Sequence, residues 1–154
     1  MSHQVERSIA IRSFHPQDQS AVKQLILTGL TEHWGTLDPN LNPDLNNIAD
    51  SYAGQTFLLA MQGENIVGCG VLIKEGDEEY GRIVRMSVAK EKRRLGIGRL
   101  LLRELETAAK RRSFRKILLE TTQTWQTAVT FYQANGYQII GQHSGDTHFE
   151  KYLL

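Results

Sequence analysis

The chain has little of several residue types, and each shortage excludes something. Its 154 residues include a single cysteine, Cys69, so an internal disulfide and a cysteine-based zinc spacing are both excluded. The 18 basic and 17 acidic residues nearly cancel, which removes bulk attraction to nucleic acid or to an anionic membrane. No apolar stretch approaches the ~18 residues that cross a bilayer, and the N-terminus, with His3, Glu6 and Arg7, lacks an apolar signal core. We therefore expect a reduced, cytoplasmic protein without a membrane or nucleic-acid partner.

The length suits one domain over residues 1–154, and no linker, repeat or low-complexity tract interrupts it. Gly136 is expected to cap the last predicted helix, residues 124–135, in a left-handed conformation. Apolar periodicity and turn residues predict strands at 8–14, 55–61, 65–74, 82–88, 115–121, 137–142 and 148–153, and helices at 16–29, 44–52, 96–112 and 124–135. This order predicts an α/β (α+β) fold in which helices flank a mixed, mostly antiparallel sheet. It does not alternate strictly enough for a doubly wound Rossmann domain.

The most informative stretch is a glycine-bearing turn, Arg93-Arg94-Leu95-Gly96-Ile97-Gly98, directly before the helical run Arg99-Leu100-Leu101-Leu102. Backbone N–H groups in the first turn of a helix lack internal partners, and glycines let that backbone approach a ligand closely. The helix dipole and the arginines add positive potential, so the turn is predicted to bind a phosphate or pyrophosphate. It is neither a Walker loop, since no Gly-Lys-Ser/Thr follows, nor a complete Rossmann fingerprint. The alternative is a tight strand-to-helix turn with solvated arginines.

Three motifs follow one another in the second half of the chain. Arg93, Gly96 and Gly98 satisfy the pattern (Gln/Arg)-x-x-Gly-x-(Gly/Ala), after a strand that ends in Met86-Ser87-Val88. A second strand ends in an acidic residue, Leu118-Leu119-Glu120, and residues 132–137 satisfy Tyr-x-x-x-Gly-(Phe/Tyr). In this order and at these separations, the motifs resemble the GNAT superfamily of N-acetyltransferases, best over about residues 82–154. The chain departs from the family by having Arg94 where glycine is frequent, no proline near Lys90, and Trp125 where asparagine is frequent.

The resemblance implies a GNAT acyl-CoA N-acyltransferase fold and a cosubstrate, acetyl-CoA, without a metal. It implies transfer of an acetyl group to a primary amine of a small molecule or a peptide N-terminus by direct attack, and a homodimer is one expected assembly. Coenzyme contacts are expected from the strand end and the turn, with Val88 N–H near the thioester oxygen as an oxyanion stabiliser. The implied set is Met86, Ser87, Val88, Arg93, Arg94, Leu95, Gly96, Ile97, Gly98, Arg99, Trp125 and Tyr132.

Tyr132 is the candidate general acid, which would protonate the departing thiolate. Helical spacing places it on one inward face with Trp125, Ala128 and Val129. The alternative is a core tyrosine, because Phe131 and Tyr137 are close in sequence. Spacing by itself favours that alternative, and the family resemblance favours catalysis.

Glu120 is the candidate general base, directly or through water. A glutamate after Ile117, Leu118 and Leu119 on a strand is unusual, because an unpaired buried carboxylate is costly. Its separation from Tyr132 resembles that in some protein N-terminal acetyltransferases of the superfamily. The alternative is that Glu120 simply pairs with Arg85 or Arg82 across the sheet. Glu78 and Glu79, on the turn before the fourth strand, are the second candidates for the base.

Other polar residues are weaker candidates. His33, Trp34, Asp38 and Asp44 lie on a helix–loop–helix segment that would face the acceptor, unless they are ordinary loop polarity. His143 and His148 flank the last turn, but no further patterned ligand supports a metal site. Two competing functions are a coenzyme-binding sensor without catalysis and a nucleic-acid binder that uses the basic cluster at residues 90–94. The near-neutral total charge argues against the second.

Overall fold

Seven strands and four α-helices account for most of the described chain, which is residues 8–38 and 40–154 of a computed structural model. The N-terminal residues His3, Glu6 and Arg7 lie outside this part. The strands are β1 (Ala10–Ser13), β2 (Thr56–Gln62), β3 (Asn65–Lys74), β4 (Tyr80–Val88), β5 (Lys116–Thr122), β6 (Gln138–His143) and β7 (Asp146–Tyr152). The helices are α1 (Gln19–Trp34), α2 (Ile48–Ser51), α3 (Ile97–Arg111) and α4 (Gln126–Ala134).

All seven strands belong to one sheet in the order β1-β2-β3-β4-β5-β7-β6. Neighbours are antiparallel except for β4 and β5, which are parallel. The predicted fold class, a mixed and mostly antiparallel sheet flanked by helices, is therefore confirmed. Within the described residues, no helix is both long and apolar enough to cross a membrane.

The centre of the sheet is open at one end. The register of β4 and β5 joins Tyr80–Arg82 to Lys116–Leu118 and stops there, although β4 continues to Val88 and β5 to Thr122. An irregularity in the β3–β4 register coincides with Arg85, whose φ of 55° is left-handed. Such a bulge bends its strand and increases the local twist. The two strands consequently diverge, and a gap forms between them.

Helices cover both faces of the sheet. On one face, α3 buries Leu101 and Leu105 with alternate residues of β2 and β3, among them Ala60 and Leu72. On the other face, α1 buries Val22 and Ile26 against Leu59 and Val71, with Leu45 and Ile48 completing that cluster. The period-2 alternation of the strands and the 3.6 period of α3 produce this two-sided core.

The predicted end of the first helix at Gly29 is wrong, because α1 continues through it to Trp34. Gly29 serves close packing instead: a Cβ there would lie 3.1 Å from the Ser87 Oγ on β4. The true end is Gly35, which adopts φ 82° at the C-cap. Gly136, with φ 91°, confirms the left-handed cap predicted after α4.

Two further predicted elements differ in detail. The single helix expected over 44–52 is instead a 3₁₀ turn, Pro43–Asn46, followed by the one-turn helix α2. Asn47 separates them, with a φ of −148° and a ψ of 87° that are not helical. The last hairpin is tighter than predicted, because β7 begins at Asp146 and Ser144-Gly145 form a two-residue turn with φ of 56° and 80°. Positive φ at both central residues matches the right-handed twist of the strands.

Candidate active site

The turn between β4 and α3 presents a row of free backbone donors. After a 3₁₀ turn at Lys90–Lys92, Arg94 and Gly96 adopt left-handed conformations with φ of 65° and 83°. The first bond of the helix joins the Leu100 N–H to the Gly96 carbonyl oxygen at 3.0 Å. The N–H groups of residues 94–99 find no acceptor elsewhere in the described chain. Free N–H groups at a helix N-terminus form a site for an anion such as pyrophosphate.

The side chains of this turn have different roles. Arg94, Leu95 and Arg99 are exposed, whereas Ile97 is buried in the core beneath the turn. Gly98 lies close to α4, and a Cβ there would come within 3.3 Å of the Phe131 ring. A side chain at residue 98 would therefore narrow the space beside the free N–H groups.

Arg93 does not point freely into solvent. Its Nε donates to the Val88 carbonyl oxygen at 3.1 Å, and its Nη2 pairs with Glu32 on α1 at 2.6 Å. The side chain thus ties the end of β4 to the last turns of α1. This contact stabilises the start of the turn, and the guanidinium still adds positive potential beside it.

Met86, Ser87 and Val88 form the part of β4 that borders the gap. On one edge, Ser87 and Val88 pair with Cys69 and Gly68 of β3. On the other edge, β5 pairs with no residue of β4 beyond Arg82 in the described structure. That edge is available for strand-like pairing with an extended ligand. These three residues thus lie beside an open strand edge, and their contact with a coenzyme stays a prediction.

Tyr132 lies on the inward side of α4, in the same buried cluster as Leu119 of β5. It is only 7% exposed and packs against Phe131, Tyr137 and Phe149, with ring centroids 5.1, 5.9 and 5.8 Å apart. Burial raises the pKa of its phenol, so the hydroxyl keeps its proton throughout the neutral range. No hydrogen bond occupies that hydroxyl within residues 8–38 and 40–154. Tyr132 is thus a core tyrosine that also retains a free proton donor.

The helical spacing predicted that Trp125 shares the inward face of Tyr132, and this prediction is wrong. It is the N-cap of α4, and its indole stacks on His33 of α1 with centroids 4.3 Å apart. Ala128 and Val129 do pack into the cluster that contains Tyr132. The difference arises because residue 125 precedes the first helical turn, where the 3.6 period does not apply.

Glu120 lies on β5, on the opposite side of the sheet from Tyr132. Leu119 is buried under α4, so the alternation of the strand turns Glu120 to the other face. Its Oε2 accepts a hydrogen bond from Arg82 Nη1, and the Nδ1 of His148 lies 3.8 Å from the same oxygen. The structure therefore shows the pair with Arg82 that was the alternative interpretation of Glu120, whereas Arg85 pairs elsewhere. The role of Glu120 as base stays a prediction. Glu120 is 28% exposed and lies on the part of β5 that follows the end of its pairing with β4.

Arg85 is a polar anchor that the sequence did not reveal. Its guanidinium bonds both carboxylate oxygens of Asp44, at 3.0 and 2.7 Å, and the side-chain oxygen of Asn42 at 3.0 Å. Tyr52 completes the group by donating its hydroxyl to Asp44 at 2.6 Å. The segment that was expected to face the acceptor is thus fastened to the bulge of β4. No local pattern could predict a pair 41 residues apart.

The second-choice bases, Glu78 and Glu79, lie away from the gap. They are exposed on the turn before β4, at the end where β4 and β5 are paired. Glu79 forms an exposed pair with Arg115 at 2.8 Å. Their position next to the paired end of the two strands removes them as candidates for proton transfer in the gap.

His143 and His148 stack on each other, with centroids 3.9 Å apart and planes 13° apart. In the described part of the chain, no group of three or more His, Cys, Asp or Glu residues is placed to hold a metal ion.

Cys69 is buried as predicted, and burial raises the pKa of its thiol to about 12.

Comparison with known proteins identifies the family. A model of the acetyltransferase (GNAT) family matches residues 20–137. The chain is 34% identical over 122 residues to IAA acetyltransferase of Azospirillum brasilense, which covers 77% of this chain and 78% of that protein. It is 33% identical over 103 residues to probable N-acetyltransferase 14 of Xenopus tropicalis, 65% of this chain and 50% of that one. The chain thus spans about half the length of several relatives that it matches.

Solved structures agree on the fold. A GNAT-family acetyltransferase from Staphylococcus aureus superposes with a TM-score of 0.87 at 26% identity, over 96% of this chain and all of that one. The PaiA N-acetyltransferase of Thermoplasma acidophilum, solved with coenzyme A, superposes with a TM-score of 0.83 at 18% identity, over 94% and 99%. This chain belongs to the acetyltransferase (GNAT) family.

Proposed function

We propose that this protein, as one N-acetyltransferase domain, transfers an acetyl group from acetyl-CoA to a primary amine of a small molecule or a peptide N-terminus. The observation that carries the proposal is the row of free N–H groups at residues 94–99, beside the open edge of β4. An anion site next to an unpaired strand edge suits a ligand that has a pyrophosphate and an extended amide arm. Acetyl-CoA has both.

The donor would lie along the gap between β4 and β5. Its pyrophosphate would accept hydrogen bonds from the N–H groups of residues 95–99, with Arg93 and Arg94 adding positive charge. Its pantetheine arm would pair with Met86, Ser87 and Val88 and pass Trp125 and Tyr132. Binding energy from these remote contacts would orient the thioester for attack. The Thermoplasma structure, solved in complex with coenzyme A, supports this class of ligand.

The chemistry needs one base and one acid, and the two candidates approach the gap from opposite faces of the sheet. Glu120 would take a proton from the acceptor ammonium, directly or through water. The free amine would then attack the thioester carbonyl, and the Val88 N–H would stabilise the oxyanion. As the C–S bond breaks, the Tyr132 hydroxyl would donate its proton to the thiolate. The attacking nitrogen would lose its second proton to water as the amide forms, and water would return a proton to Tyr132, while Glu120 releases the proton that it took to solvent. No step requires a metal.

The location and the assembly are further parts of the proposal. We place the protein in the cytoplasm because its lone cysteine is free and its proposed donor is an intracellular metabolite. A homodimer is proposed from the resemblance to the family, whose last strands often form dimer contacts.

A turnover screen tests the function. Purified protein is incubated with acetyl-CoA and a panel of small amines and peptides, and free thiol is measured. Turnover with at least one amine is expected. Binding of acetyl-CoA without turnover on any amine would favour a non-catalytic sensor, and failure to bind acetyl-CoA would overturn both.

A matched pair of charge reversals tests the donor site. Arg94→Glu places a negative charge beside the free N–H groups and is expected to weaken acetyl-CoA binding at least tenfold, about 1.4 kcal/mol. Arg115→Glu makes the same change at an exposed position near the far end of β4 and is expected to leave binding unchanged. Equal effects of the two variants would contradict the proposed site.

A further inference from the structure

We propose that His148 is a positioning residue for proton transfer, which fixes the Glu120 carboxylate so that its Oε1 takes the acceptor proton. This inference rests on the proposed role of Glu120 as the base. Glu120 and His148 are directly opposite in the register of β5 and β7. Their side chains therefore meet on the face of the sheet that α4 does not cover.

The contacts of Glu120 are unequal between its two oxygens. Arg82 Nη1 donates to Oε2, and His148 Nδ1 approaches that same oxygen at 3.8 Å. In the described structure, Oε1 receives no hydrogen bond from any protein group. Because Oε2 already faces Arg82 and His148, Oε1 is the oxygen whose lone pairs are free to accept a proton.

The burial of His148 indicates which ring nitrogen carries the proton. Its Nε2 is buried and has no partner within the described residues. A proton on that nitrogen in the neutral ring would create a buried N–H without an acceptor, which costs more than a buried lone pair. The proton therefore belongs on Nδ1, which faces Glu120. At 3.8 Å the contact is electrostatic, and one ordered water or a small rotation would complete a hydrogen bond.

Neighbouring groups hold His148 in this orientation. His143 on β6 stacks on its ring at 3.9 Å and fixes the plane of the imidazole. On β4, Arg82 also bonds Glu75 at 2.7 Å, so its guanidinium is shared between two carboxylates. Along β7, Asp146 and Glu150 share the side of His148, and Lys116 neutralises Glu150 at 3.1 Å. With Arg82 shared, the Nδ1 proton supplies part of the positive field at Glu120.

The test compares variants that keep or remove a donor at the Nδ1 position. His148→Phe removes the donor and keeps a ring that stacks on His143, whereas the amide of His148→Asn replaces Nδ1–H. Without the donor, the carboxylate binds a proton more readily, so the acid limb of kcat/KM for the amine moves to higher pH. We expect His148→Phe to lower kcat/KM by up to about tenfold at pH values on the acid limb, which is the effect of a shift of about one pH unit, and to change the plateau little. His148→Asn should recover most of the loss.

The outcomes distinguish the role of His148 from the role of Glu120 as base and from the proposed acetyltransferase function. If Glu120→Gln lacks activity and the profiles of wild type and His148→Phe coincide, the positioning role is refuted while the base stands. If Glu120→Gln is as active as wild type, Glu120 is not the base and the inference fails with it. Absence of turnover by wild type refutes the proposed function itself.

A second pair of variants covers the case in which His148→Phe does not fold. The amide of His148→Gln reaches the position of Nε2, whereas that of His148→Asn reaches Nδ1. The acid limb is expected to shift for glutamine and not for asparagine. Equal profiles for the two amides would refute the role of Nδ1.

Discussion

The imidazole of His33 lies flat against the indole of Trp125, with ring centroids 4.3 Å apart and planes 10° apart. His33 belongs to the last turns of α1 and Trp125 is the N-cap of α4, so the stack joins helices from opposite faces of the sheet. Trp34 meets His33 edge-on at 4.7 Å. The chain has two tryptophans, and both lie in this group. Tryptophan emission therefore reports on the junction between the acceptor side and the coenzyme side.

Binding of acetyl-CoA is expected to change the emission of Trp125. In Trp34→Phe, all tryptophan emission comes from Trp125, whose environment changes if the coenzyme arm passes beside it. A saturating change in intensity or wavelength is expected on titration, with the midpoint that calorimetry gives. Trp125→Phe, which leaves Trp34 alone, is expected to respond less. A silent Trp34→Phe that nevertheless binds acetyl-CoA would place the arm elsewhere.

The pair of Arg85 and Asp44 is expected to carry part of the stability of the acceptor side. Asp44→Asn leaves the half-buried guanidinium without its carboxylate, so the free energy of unfolding at pH 7 should fall by about 1.5–3 kcal/mol. Denaturant unfolding measures this loss. The control is Asp77→Asn, on an exposed turn, where no ion pair involves the aspartate in the described structure. Equal stability of the two variants would show that the pair contributes nothing.

The same substitution should alter the dependence of stability on pH. Burial opposes ionisation of Asp44, but hydrogen bonds from Arg85 and Tyr52 outweigh it and hold its pKa below the usual range. Such a carboxyl contributes stability that is complete above the unfolded-state pKa, about 3.9, and is lost as pH falls through the lower folded value. Asp44→Asn should therefore lose stability less steeply below about pH 4. A remaining slope is expected from Asp18, whose pKa Arg12 lowers.

Removal of the hydroxyl is expected to affect catalysis at Tyr132 and stability at Tyr137. Tyr132→Phe should lower kcat by about 10²-fold or more, since general acids contribute that much, with little change in stability or acetyl-CoA binding. Tyr137 donates its hydroxyl to Glu106 at 2.8 Å, so Tyr137→Phe should lower stability by about 1–2 kcal/mol and leave kcat near wild type. Steady-state kinetics and thermal unfolding of both variants check this. Full activity of Tyr132→Phe would assign the proton to another donor.

Local patterns predicted those parts of the molecule that depend on neighbours in sequence. The 3.6 period of α3, the cap at Gly136 and the apolar run of β3 were all visible in the chain, because each is a short-range property. The glycine turn was visible for the same reason. Gly29 was misassigned as a helix end because its role, a close approach to Ser87, involves a strand 58 residues away.

The polar organisation of the candidate site could not be predicted in this way. The pairing of Glu120 with Arg82 was one of two alternatives, since the sequence does not specify how far β4 and β5 stay paired. The meeting of Glu120 with His148 depends on the register of β5 and β7, and the bond of Arg85 to Asp44 depends on the bulge that turns Arg85. These contacts follow from the topology and register of the sheet, which local patterns in the sequence do not determine.

Arg94 stores backbone strain at a position where the family often has glycine. Its φ of 65° is left-handed, a conformation that costs a non-glycine residue about 1–2 kcal/mol and glycine almost nothing. Arg94→Gly should therefore raise the free energy of unfolding by about 0.5–1 kcal/mol, after the extra entropy of glycine in the unfolded chain is subtracted. Arg94→Ala removes the same charge but keeps the strain, so it should give no gain.

The comparison of these two variants also separates charge from backbone in donor binding. Both should weaken acetyl-CoA binding by a similar factor if the Arg94 guanidinium attracts the pyrophosphate, because both lose it. Arg94→Gly should bind more tightly than Arg94→Ala only if the turn must adjust when the N–H groups close on the ligand. Thermal unfolding without acetyl-CoA measures the stability of each variant, and the shift on adding acetyl-CoA measures how tightly each one binds it. Equal stability of Arg94→Gly and Arg94→Ala would show that the left-handed conformation carries no strain here.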